Sequence, residues 1–178
     1  MNKANLKVID HEFNDINGGS ISVTAAKFSS EYPLDSNLKK TLESESLIYG
    51  LQKKSTYKDF MSRVDQNGIE LKSLLDRLNH AGKKIAGLGA STKGNVLLQY
   101  YGISTNDINV IGEVNSDKFG SFTPGTKIPI ISEDKLIEDG FEYFLVLPWH
   151  FKNFFLSLEK LKGKKLIFPL PKVHVIQV

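Results

Sequence analysis

Three observations predict an α/β fold for this chain, with a mainly parallel sheet covered by helices on both faces and preceded by a β-hairpin and a helical segment. From residue 83 onward, residues 84–88, 107–114, 127–131, 144–147, 166–168 and 173–178 read as short apolar strands, separated by helical patterns at 92–101, 132–138 and 151–161. Alternation of that kind makes the strands mostly parallel, because each helix carries the chain back across the sheet. A glycine-rich stretch sits between the first of these strands and its helix. Two alternating, β-branched strands flank Asn17-Gly18-Gly19 near the start of the chain. The arrangement over residues 83–178 is Rossmann-like.

Taken in order, residues 1–35 form the hairpin, with strands at 6–13 and 20–28 joined by a turn that ends in Asn17-Gly18-Gly19. Two strands bury too little to be stable alone, so this hairpin needs a sheet to join. Residues 36–82 read as a helical connector. Ser36 is placed to cap a helix through Leu38, Leu42 and Leu47, and Ser55 or Thr56 a second one carrying Phe60, Val64, Leu71, Leu74, Leu75 and Leu78. Asn67-Gly68 predicts a kink in the second, since glycine inside a helix costs about 1 kcal/mol against alanine. In residues 83–178, Gly102 ends the first helix, and Ser132 with Glu133 and Asp134 opens the next.

Composition narrows the function. With 178 residues, 40% hydrophobic and 24% charged, the chain has the makeup of a globular protein, neither disordered nor membrane-spanning. Residues 1–7 lack the apolar stretch of a secretory signal, which points to the cytoplasm. Arg63 and Arg77 are the only arginines and the formal charge is +3, which speaks against a nucleic-acid partner. The absence of cysteine excludes a disulfide scaffold, a thiol nucleophile and a thiolate zinc site within the chain. His11, His80 and His174 have no metal-ligand spacing.

The stretch Gly87-Leu88-Gly89-Ala90-Ser91-Thr92-Lys93-Gly94-Asn95 carries the functional signal. It lies at the carboxyl end of a strand, where open α/β sheets bind ligands. Gly87 and Gly89 allow a tight turn, Gly94 lets the helix approach the strand, and Ser91 and Thr92 supply hydroxyls for capping or for a ligand. Lys93 adds a positive charge beside a helix N-terminus that already favours anions. The third glycine comes five residues after the second, so the spacing differs from GxGxxG, and Asn95-Val96 follows Gly94 where a P-loop has Lys-Ser/Thr. A glycine turn that serves only strand–helix geometry fits the same residues.

Glu113 ends the next strand. In dinucleotide folds an acid near this place holds ribose hydroxyls; the plainer role is a solvated strand-end carboxylate. Trp149 and His150 follow the strand at 144–147 at the same edge of the sheet. Trp149 is suited to stack on a base or sugar ring, or to fill core space, and His150 to donate to a phosphate or cap the following helix. Gly87, Gly89, Ala90, Ser91, Thr92, Lys93, Asn95, Glu113, Trp149 and His150 therefore form the candidate substrate-binding set. No residue is assigned as catalytic.

Gly89-Ala90-Ser91-Thr92-Lys93-Gly94-Asn95, Leu97-Leu98-Gln99-Tyr100 and Gly102-Ile103 resemble the C-terminal domain of SAM-dependent sugar C-methyltransferases. The likeness continues through Thr123-Pro124-Gly125-Thr126, Ile128-Pro129-Ile130 and Leu145-Val146-Leu147-Pro148-Trp149, and Asn17-Gly18-Gly19-Ser20-Ile21 is similar to the end of that family's SAM-binding domain. The resemblance implies a domain that helps hold a nucleotide-linked sugar of the dTDP type, with the loop at residues 89–95 facing it and binding it through the backbone amides near Gly89 to Ser91, the hydroxyls of Ser91 and Thr92, Lys93 and Asn95. Zinc and SAM are implied only for a full-length family member; their cysteine-rich and glycine-motif regions, and the catalytic bases, have no counterpart here. The expectation is a substrate-binding part that does not catalyse methyl transfer by itself and binds no cofactor of its own; residues 1–32 are open to pairing with a SAM-binding chain, with another copy, or with nothing. A non-catalytic interaction module and a nucleotide- or dinucleotide-binding Rossmann protein remain as alternatives.

Overall fold

The six strands expected beyond residue 83 all form, and they join one sheet in a computed structural model that describes residues 2–178. The chain divides into two units, one through residue 61 and one from Ser62 to Val178.

In the first unit, β1 (Leu6–Asn14) and β2 (Ser20–Lys27) pair antiparallel, with a bulge between Val8 and Asp10. The turn between them uses Asn17, Gly18 and Gly19 at φ of 55°, 83° and 122°, a left-handed path suited to these residue types. His11 ties the hairpin to α1 (Leu38–Glu43). Its Nδ1 bonds the Asp35 carboxylate, and its Nε2 lies 2.7 Å from the Thr41 hydroxyl. That bond to His11 holds the Asp35 carboxyl below its ordinary range. The first helix starts after Asn37, not Ser36, and gives way to a π-turn at Ser44–Ile48, where the Ser44 hydroxyl bonds back to the Lys40 carbonyl at 2.9 Å. Phe13 and Phe28 are 65% and 60% exposed, and among the described residues no third strand joins this sheet.

The helix α2 (Lys54–His80) runs unbroken through Asn67 and Gly68, so the expected kink is absent. Thr56 is not its cap; the hydroxyl donates to the Gly50 carbonyl at 2.8 Å. Gly68 has a packing reason instead. A Cβ there would lie 2.5 Å from Cδ1 of Tyr101, whose hydroxyl donates to Asn67 Oδ1 at 3.0 Å. Leu71 and Leu75 are fully buried, which is why the second unit takes in the later part of this helix.

The remaining elements are β3 (Ile85–Leu88), α3 (Thr92–Tyr100), β4 (Ile111–Glu113), β5 (Ile130–Ser132), α4 (Glu133–Glu138), β6 (Tyr143–Val146), α5 (Lys152–Leu156), β7 (Lys165–Phe168) and β8 (His174–Gln177). The sheet order is β5-β4-β3-β6-β7-β8, parallel except for β8, which runs antiparallel to β7. The chain builds outward from β3 to β5, then returns to lay β6 on the other side of β3. The loops after β3 and β6 therefore leave toward opposite faces, and a crevice opens between them. Period-two alternation along β3 divides the core. Ile85 packs with Leu71, Leu75, Leu97 and Leu98 under α2 and α3, while Ala86 and Leu88 pack with Leu136 and Phe155 under α4 and α5.

Several elements are shorter than expected, for local reasons. Residues 105–107 form a turn, in which Asp107 Oδ2 accepts the Ser104 N–H at 2.8 Å, so the strand starts only at Ile111. Lys127 has φ of 55° and Pro129 has no N–H to give, so β5 starts only at Ile130. The helix expected over 151–161 breaks into a 3-10 turn at Trp149–Phe151, α5, and a second turn at Glu159–Leu161; Ser157 bonds back to the Phe154 carbonyl at 2.8 Å at the break. No described helix is long and apolar enough to cross a membrane.

Replacing Gly68 with alanine sets two effects against each other. Helix propensity gains about 1 kcal/mol, whereas forcing a methyl into the Tyr101 ring costs about 1–3 kcal/mol. Gly68→Ala is expected to lower the urea midpoint; a higher midpoint would show that Tyr101 does not occupy this space.

Candidate functional site

The glycine loop turns where only glycine fits. Gly89 has φ of 79°, and a Cβ on it would meet Pro148 Cγ at 2.8 Å. A Cβ on Gly87 would lie 2.7 Å from Ile111 Cγ1, and one on Gly94 2.6 Å from Leu147 Cβ. The two loops of the crevice thus touch through glycines. Ser91 caps α3 as the sequence predicts, its Oγ accepting the Gly94 N–H at 3.0 Å.

Glu113 locks this loop from the neighbouring strand. Its Oε2 accepts the Ala90 N–H at 2.9 Å and Lys118 Nζ at 3.0 Å, and its Oε1 accepts the N–H groups of Val114 at 2.8 Å and Asn115 at 3.1 Å. Lys118 also donates to the Ala90 carbonyl at 3.1 Å, so both polar ends of the Ala90 residue are gripped by one ion pair. Burial pushes the Glu113 carboxyl up, but the Asn115 N–H, Lys118 and the Val114 N–H outweigh it, and the group lies below its ordinary value.

These bonds revise how the loop can meet a ligand. The N–H of Gly89 goes to the Gly112 carbonyl at 2.8 Å, that of Ala90 to Glu113, and that of Ser91 to the Gly89 carbonyl at 2.8 Å. The three amides expected to cradle an anion instead hold the loop itself. The side chains of Ser91, Thr92 and Lys93 stand at the start of α3, with Asn95 one turn on.

Of the candidate residues, Gly89, Ser91 and Glu113 come together on a cleft of about 310 Å³, with Pro148, Phe151, Phe154, Lys118, Glu133 and Lys160 among the other lining residues. Gly87 and Ala90 are buried beneath it. Trp149 is half-buried between the two halves of the core. His150 stands edge-on to Trp149 and beside Phe151, with ring centres 5.9 and 4.3 Å away. Burial, then the positive charge of Lys93, lowers the His150 imidazole from its usual range, so it is uncharged at neutral pH. Two polar atoms near the start of α3 and the end of β6, Asn95 Oδ1 and His150 Nδ1, are buried with no hydrogen-bond partner.

Sequence reasoning missed Phe151, Phe154 and the two ion pairs of the cleft. Lys160 Nζ lies 2.8 Å from Glu133 Oε1 and 3.2 Å from Asp134 Oδ1. Burial pulls its ammonium down, and the two carboxylates more than restore it, leaving it above its ordinary value. The dense aromatic run Trp149, Phe151, Phe154 and Phe155 was the available signal, of which the sequence reading singled out only Trp149.

The Glu113 clamp has a pH dependence. Its carboxyl lies below the 4.5 of a free glutamate, so its contribution is complete above that value and is lost as pH falls beneath it. Glu113→Gln keeps the shape but removes the charge, and is expected to cost about 1.5–3 kcal/mol at pH 7. Urea midpoints of variant and parent should converge below pH 4.5; a gap that persists unchanged into acid would refute the clamp.

Comparison with known proteins adds the lineage. Residues 15–171 match the family described as C-methyltransferase C-terminal domain. The chain is also similar to the C-methyltransferase NovU of Streptomyces niveus, with 30% identity over 174 residues. That alignment covers 96% of this chain and 41% of NovU, so the chain spans less than half the length of this relative. The matched span holds the glycine loop, its Glu113 clamp and the cleft beside it, and the chain belongs to the family of C-methyltransferase C-terminal domains.

Proposed function

We propose that this chain is the nucleotide-sugar-binding part of a SAM-dependent sugar C-methyltransferase, a module that holds substrate for a methyl transfer completed by other residues. The observation that carries this reading is the rigid glycine loop at the crevice between β3 and β6, with Ser91, Thr92 and Lys93 at the N-terminus of α3 beside the neutral His150. A helix N-terminus with an adjacent lysine favours a diphosphate. Holding a substrate in one orientation can supply several kcal/mol of barrier reduction to chemistry performed elsewhere.

The chain's own residues do not fit the cofactors of the whole family. It has no cysteine, and among the described residues no group of three or more His, Asp or Glu could hold a metal ion. The acid that would grip the ribose of SAM or a dinucleotide in such a fold is Glu113, whose two oxygens already take four internal donors. Methyl donation is therefore assigned to a separate part, in the same assembly or on another chain. The exposed Phe13, Ile21 and Phe28 of the hairpin support an interaction role for residues 1–32, with a SAM-binding chain or a second copy as the partner.

Isothermal titration with dTDP and a dTDP-linked sugar tests the proposal. Binding in the micromolar to millimolar range is expected, weakened about tenfold by Lys93→Ala. No heat at millimolar ligand, with or without a candidate partner chain, would refute it.

A further inference from the structure

The cleft on the α4–α5 side of the loop differs in character from the Lys93 side. Its walls are mainly apolar: Pro148, Phe151, Phe154, Phe155, Leu158 and Val114. Phe151 and Phe154 are 51% and 58% exposed, although each has a ring that burial would stabilise. Its charges cancel in pairs, Glu113 with Lys118 and Glu133 with Lys160. A site neutralised in this way offers no net attraction to a phosphate. It does offer flat hydrophobic faces beside hydrogen-bonding groups, which is what a nucleobase presents in return. The volume of about 310 Å³ accommodates one ring system, not a whole nucleotide-sugar.

Glu133 sharpens the choice. It is 5% exposed, and its Oε1 lies at ion-pair distance from Lys160 yet takes no well-aligned hydrogen bond. The Lys160 ammonium 2.8 Å away occupies one side of this oxygen, and a carboxylate oxygen has a second lone pair with which to accept from another donor. A base carrying a ring or exocyclic N–H supplies that donor. A sugar ring, with hydroxyls on most of its edge, would leave many of them against Phe151, Phe154 and Leu158, so the walls favour the base.

We infer that this cleft is the subsite for the nucleobase of the ligand, with Phe151 and Phe154 stacking on it and Glu133 accepting from its N–H edge. The assignment rests on the nucleotide-sugar reading above and divides the ligand between two sides of one loop. The base lies over α5, and the anionic group lies at Lys93 and the start of α3.

The test compares three probes on the full chain by isothermal titration: dTDP, thymidine and inorganic pyrophosphate. Phe154→Ala and Phe151→Ala remove exposed rings and should leave the urea midpoint within error. Each is expected to weaken dTDP about tenfold, given the usual worth of a stacked base, and to leave pyrophosphate unchanged, while Lys93→Ala weakens pyrophosphate and leaves thymidine unchanged. If dTDP binds the parent chain and both phenylalanine variants equally well, the base lies elsewhere and the inference falls while the binding role stands. If none of the three probes binds the parent chain, both fall together.

Discussion

One half-buried ion pair sets the geometry on which everything else at this crevice depends. Glu113 leaves β4 and reaches across to β3's loop, taking the Ala90 N–H, while its partner Lys118 takes the Ala90 carbonyl. A glycine-rich turn is otherwise free to sample many backbone states, and freezing it costs conformational entropy. Here that cost is met before any ligand arrives. The start of α3, with Ser91, Thr92 and Lys93, is thereby placed in one position relative to β6. The same bonds fix the spacing between Gly89, Ser91 and Glu113 along the cleft.

The reading of this loop from sequence was half right in an informative way. Ser91 as a cap follows from a hydroxyl residue just before an apolar-periodic run, and it forms as expected. The glycines were placed correctly because each sits where a strand meets a helix or a neighbouring loop. The amides, however, were assigned to a ligand when the fold uses them. Two of their acceptors, the Gly112 carbonyl and the Glu113 carboxylate, lie on another strand, and which strand lies beside β3 is a matter of sheet order that residue patterns do not state. The ion pairs of the cleft were hidden for the same reason: Lys160 and Glu133 are 27 residues apart and meet only once α4 and the turn after α5 are in place. Gly68 shows the complementary case. Its intrinsic tendency to break a helix was legible, but Tyr101 decides its role, and that contact spans more than thirty residues of sequence.

The two units differ in how completely they satisfy themselves. The second has a sheet whose two faces are both covered, with Leu71, Leu98, Phe144 and Phe168 buried. The first binds its hairpin to α1 through His11, Asp35 and Thr41, but Phe13 and Phe28 remain in solvent. The contrast lies within a chain that belongs to the C-methyltransferase C-terminal domain family and aligns to 41% of NovU: the second unit covers both faces of its sheet, and the first leaves two phenylalanines of its hairpin exposed.

The reversal of β8 has a practical corollary. Because His174 lies opposite Phe168 and Gln177 opposite Lys165, the last strand starts at the crevice rim and carries the chain away from it. Val178 thus ends at the rim where β3 begins, on the far side of the sheet from the glycine loop. Whatever is joined beyond Val178 therefore departs from the edge opposite the crevice mouth, and a fluorophore placed there leaves that mouth clear.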